Sequence, residues 1–62
     1  MRKYYILVKD VKNNKVELVE IIDAKNVKEA KKYATKKYMK IVVSGTHQLV
    51  VVGKSGYEQY YK

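Results

Sequence analysis

The chain has 62 residues, 14 Lys or Arg against 6 Asp or Glu, a formal net charge of +8, seven Tyr, one His and no Cys. That length makes one domain at most, and a domain so small buries only about 60% of the surface its unfolded chain exposes. A disulfide framework is excluded and His47 alone leaves a structural zinc site short of ligands, so self-association is the expected reinforcement of a marginal core. No run approaches the roughly 18 apolar residues of a membrane span. The start Met1-Arg2-Lys3 precedes an apolar run too short for a signal peptide. The expectation is a cytoplasmic protein with no membrane partner.

Residues 4–9 and 15–22 read as two β-strands joined over Asp10-Val11-Lys12-Asn13-Asn14, where Asn-Asn supplies the positive φ of a tight hairpin turn. A register centred on Asn13 and Asn14 sets Val8 opposite Val19 and Ile6 opposite Ile21 on one face. The other face then carries Tyr5, Leu7, Leu18, Val16 and Ile22, interrupted by Lys9 and Glu20. This register also sets Asp10 against Glu17, a like-charge pair that speaks against it.

Asn26, with Glu29 three residues on, has the form of a capping box and predicts a helix from 27 to about 39. Val27, Ala30, Ala34 and Tyr38 share its apolar stripe, with Tyr33 at the margin, and the small residues predict a close approach to a sheet. Residues 41–44, a Gly45-Thr46 turn and 47–52 read as a second hairpin. Gly53-Lys54-Ser55-Gly56 reads as a flexible connector to 57–62. The expected fold is α+β: a ββαββ domain over 1–53, followed by a flexible, basic, tyrosine-rich tail over 54–62. The domain is a four-stranded, mainly antiparallel sheet in the order 2-1-3-4 with one helix packed on one face.

The runs 4–8, 41–43 and 49–52 are apolar at odd and even positions alike, whereas a half-exposed strand alternates. One helix covers one face. The other face calls for a second copy of the chain, the tail, or a foreign partner, and Tyr5, Leu7, Leu18, Tyr57, Tyr60 and Tyr61 are the expected dimer or partner interface. Spaced at i, i+3 and i+4, Tyr57, Tyr60 and Tyr61 also suit one helical turn folded over that face.

Lys28, Lys32, Lys36 and Lys40 recur every four residues opposite the apolar stripe, flanked by Lys31 and Lys37. Like charges at this spacing repel, and an anionic partner relieves the repulsion. Lys28, Lys31, Lys32, Lys36 and Lys40 are therefore the expected contacts to a DNA or RNA backbone, the plain alternative being a solvated face. Arg2 is the only guanidinium, so recognition falls on phosphate with little sequence specificity.

Catalysis is not expected. His47 has no evident orienting partner, and Glu17 and Glu20, an odd number apart, point to opposite faces of a regular strand. Asp10, Asp23 and Glu58 lie in separate segments. Gly53-Lys54-Ser55 matches only the end of a phosphate-binding loop, with Gln48 where its first glycine belongs. The sequence thus reads as a non-enzymatic homodimer that binds nucleic acid, with no cofactor and no small-molecule substrate. The competing reading is an adaptor or inhibitor of the kind phage and mobile elements encode. It would dock on an acidic host protein through the sheet's second face or an edge.

Overall fold

A strand that is apolar on both sides belongs in the middle of a sheet, and that is where the run Tyr4-Tyr5-Ile6-Leu7-Val8 lies. In the computed structural model, which describes residues 1–43 and 45–60, β1 (Arg2–Asp10) sits between β2 (Lys15–Ala24) and β3 (His47–Val52), antiparallel to both. Three helices complete the described chain: α1 (Val27–Lys37), α2 (Met39–Val43) and α3 (Lys54–Tyr60). The class is α+β, with three strands in place of the expected four and three helices in place of one. No helix among the described residues is long and apolar enough to cross a membrane.

The strand that is not found is the run 41–44. Its first three residues belong to α2, and Ser44 lies outside the described residues. A short β-branched run is ambiguous between strand and helix by periodicity alone. Here it follows α1 after a break at Tyr38 (φ −109°, ψ 25°), whose N–H donates to the Ala34 carbonyl at 2.9 Å while its own carbonyl accepts from Ile41 N–H at 3.1 Å. The strand at His47–Val52 therefore pairs directly with β1, and the order is β2-β1-β3.

The first hairpin differs from its expected register by more than a shift. Near the turn Asp10 pairs with Lys15 and Val8 with Glu17, whereas beyond a bulge Ile6 pairs with Glu20 and Tyr4 with Ile22. Val19 is the extra residue on β2, and it restores the pleat one step out of phase. Asp10 thereby meets a lysine rather than Glu17. Both Glu17 and Glu20 come to the side of the sheet that carries Ile6 and Val8, so the expectation that they face opposite ways fails at the bulge. Asp10 also closes the turn: its Oδ1 accepts from the N–H groups of Lys12 (3.1 Å) and Asn13 (3.3 Å), and its Oδ2 accepts from Asn13 Nδ2 at 2.8 Å. Asn14 supplies the positive φ, 53°.

Helix α1 covers the Tyr4, Ile6 and Val8 side. Asn26 caps it, its Oδ1 accepting from Glu29 N–H at 2.9 Å. Ala30 and Ala34 are both fully buried, and Tyr4, Ala24 and Ala30 form a cluster against which Ile22 and Val51 pack. The opposite side carries Tyr5 and Leu7, and α3 packs on it. The Tyr57 ring stacks on Tyr5 with centroids 4.4 Å apart and planes 15° from parallel. Residues 54–60, expected as a flexible extension, are thus helical and docked. A Cβ at Gly56 would lie 2.8 Å from Val52 Cβ, so only glycine lets α3 come this close to β3.

Two outcomes follow. Gly56→Ala should push α3 off the sheet and cost about 1–3 kcal/mol in urea denaturation, the usual range for overpacking, with loss of the tyrosine near-ultraviolet signal. Asn14→Val should cost about 1–2 kcal/mol because a β-branched residue resists the left-handed region, while Asn14→Gly should be nearly neutral.

Candidate functional site

The rotation of α1 about its axis is set by what it buries. With Ala30 and Ala34 against the sheet, Lys28, Lys31, Lys32 and Lys36 are all exposed. Positions four apart stack along one face of a helix, each about 6 Å above the last. Glu29, in the first turn, is the one acidic residue of α1.

Lys37 has a different fate. Its Nζ lies 2.7 Å from Glu20 Oε1 and donates to Tyr33 Oη at 3.1 Å. Tyr33 Oη donates to Glu20 Oε2 at 2.8 Å, and Tyr38 Oη to Glu20 Oε1 at 2.6 Å. The ammonium also lies 5.5 and 5.7 Å from the centroids of the Tyr33 and Tyr38 rings, within cation–π reach. Three side chains from the C-terminal end of α1 and its cap thus converge on one carboxylate of β2. The hydrogen bond from Lys37, then those from Tyr38 and Tyr33, hold the Glu20 carboxyl down at about 2. The same carboxylate raises Lys37 and Tyr38.

Lys40 does not continue the ridge. The break at Tyr38 places it in α2, where it lines an open groove of about 600 Å³ with Asp10, Lys15, Glu17, Val19 and His47. Asp10 and His47 are cross-strand neighbours, but the Asp10 oxygens serve the turn, and His47 Nδ1 lies 2.8 Å from Thr46 Oγ1. Hydrogen bonds to Asn13 are the main cause of a lowered Asp10 pKa. Among the described residues, no group of three or more His, Asp or Glu is arranged to hold a metal ion. Gly53-Lys54-Ser55 leads into the seven-residue α3.

The expected interface residues do not form one open patch. Leu7 is fully buried, Tyr5 and Tyr57 cover one another, Leu18 is half-buried and Tyr60 is exposed, while Tyr61 lies outside the described residues. On that side Ile21, opposite Tyr5, is also left half in water, at 50% exposure. The Glu20 cluster is what sequence reasoning missed. Its available signal was Glu20 itself, a charge inside an apolar run, together with Tyr33 and Lys37 four residues apart at the edge of the helix stripe.

No protein-family model, curated protein or solved structure matches the chain.

The depressed Glu20 pKa sets a sign. Its contribution to stability is present above the ordinary glutamate value of 4.5 and is lost as the pH falls through about 2. Thermal melts should therefore show Glu20→Gln less stable than the parent at neutral pH, with the gap closing between pH 4.5 and 2. An equal gap at both ends would mean that the carboxylate charge contributes nothing.

Proposed function

We propose that the protein is a small, basic, non-enzymatic binding protein that grips the phosphate backbone of nucleic acid with the outer face of α1. The observation that carries this reading is the division of labour among the lysines of one helix. Lys37 is matched by Glu20, while Lys28, Lys31, Lys32 and Lys36 stand exposed on a rigid element with mutual repulsion left for a ligand to relieve. The chain's +8 charge draws polyanions toward that face.

The chemistry of the face favours phosphate over protein. Protein interfaces draw their binding energy from buried Tyr, Trp and Arg and are depleted in Lys, and the outward face of α1 offers four lysines, Thr35 and a single carboxylate, Glu29. With Arg2 as the only guanidinium, base edges are not read in bidentate fashion, so affinity should vary little with sequence.

Each phosphate neutralised on duplex DNA contributes about −0.9 to the slope of log K against log salt, so the four lysines should give about −3.6 per chain. Replacing Lys28, Lys32 and Lys36 together by Glu should abolish binding to duplex and single-stranded probes in fluorescence anisotropy without changing the circular dichroism spectrum. A flat salt dependence would remove the reading. Co-purification with one stoichiometric protein, insensitive to nuclease, would favour an acidic protein surface in its place.

A further inference from the structure

We infer that the outer edge of β3 is a self-association surface, along which a second copy of this chain adds its own β3 antiparallel to make one continuous sheet. The two edges of the sheet are built differently. The β2 edge carries the devices that blunt strand addition: the bulge at Val19 and the charged residues Lys15, Glu17, Glu20 and Asp23. The β3 edge has none of them. Its sequence, His47-Gln48-Leu49-Val50-Val51-Val52, contains no lysine, proline or carboxylate, its pairing with β1 is regular, and no strand lies beyond it among the described residues.

Charge points to the same place. The chain is 32% charged with a net +8, yet residues 41–53 contain no Asp, Glu, Lys or Arg. Two copies repel each other over most of their surface, and this uncharged segment is where they approach at least cost. Beside the edge, a groove of about 550 Å³ between α1 and β3, lined by Lys31, Thr35, Gln48, Leu49 and Val51, leaves room for the side chains of an incoming strand. The need is also present, because the residues buried in a single copy are few: Tyr4, Ile6, Leu7, Val8, Ala24, Ala30 and Ala34 among those described.

Symmetry then fixes the assembly. A two-fold axis that pairs a strand edge with its own copy in antiparallel fashion runs perpendicular to the sheet, so equivalent faces lie on the same side. Side chains facing across the axis must share a face, which an axis at Val50 satisfies by setting Leu49 against the second copy's Val51 and Gln48 against its Val52. Both α1 helices come to one side of a sheet in the order β2-β1-β3-β3-β1-β2, and their lysine faces form a single broad basic surface. That last consequence rests on the nucleic-acid reading; the association itself does not.

Sedimentation equilibrium of the full chain without nucleic acid tests the association apart from the ligand. The parent should be a dimer in reversible exchange with monomer. Gln48→Lys, at an exposed position, and Leu49→Lys should each weaken association at least tenfold, whereas Ile21→Lys on the other open surface should leave it unchanged. Amide exchange within β3 in the parent should slow as protein concentration rises, a readout that does not depend on any variant folding. A parent that stays monomeric at millimolar concentration would overturn the inference. So would association that survives in the folded β3 variants but is lost in Ile21→Lys, or β3 exchange that is independent of concentration.

Discussion

Nearly everything in this structure follows from a central strand that has to be dry on both sides. Ile6 and Leu7 are adjacent in β1, point to opposite faces, and are both fully excluded from water. Backbone pairing to β2 and β3 satisfies the edges of such a strand but not its faces. The face of Ile6 is closed by α1, whose alanines allow the helix to lie close. The face of Leu7 is flanked by Leu18 and Val50 and closed in part by α3, through Tyr57 on Tyr5 and Gly56 against Val52. The last helix is therefore part of the fold's covering rather than an appendage, and a helix on each side is what permits so short a chain to place two consecutive large residues out of solvent.

A single inserted residue, Val19, controls much of the electrostatics. Without it β2 would keep one phase, and Glu20 and Glu17 would face opposite ways. With it Glu20 turns toward α1, where Lys37, Tyr33 and Tyr38 meet it. An exposed ion pair by itself contributes little. Here the carboxylate also accepts two phenol hydrogens, so the contact positions a helix end as well as pairing charges. By engaging the lysine nearest the sheet, the cluster leaves the outward lysines of α1 as the helix's unmatched charge. The same bulge and its charged neighbours guard the β2 edge, whereas β3 has neither a bulge nor a charged residue.

Much of the scaffold was legible in the chain itself. The apolar runs at β1, β2 and β3, the Asn26 cap with the start of its helix, and the burial of Ala30 and Ala34 are local patterns found where periodicity and capping chemistry put them, although α1 ends at Lys37 rather than near 39 and Val27 of the expected stripe is exposed. The tail folding over the second face was one of three ways to cover it. The conflict between Asp10 and Glu17 also signalled that the simplest hairpin register was wrong. What replaced that register was not legible, because the position of a bulge depends on which partner each residue meets across the sheet. Residues 41–43 were read as strand on their β-branched side chains, a preference that tertiary context overrides in so short a run.

By itself, then, the sequence determined the positions of its strands and long helix, the apolar character of both faces of β1, and a charge balance that favours anions. These are properties of neighbouring residues and of composition, which act before any distant contact forms. The tertiary structure alone decided that Glu20 turns toward the helix, that Lys37 is engaged while Lys28, Lys31, Lys32 and Lys36 are exposed, that Lys40 leaves the ridge at Tyr38, and that Tyr57 covers Tyr5. Each of those outcomes depends on two segments far apart in the chain meeting in one register, and no pattern along a single segment encodes it.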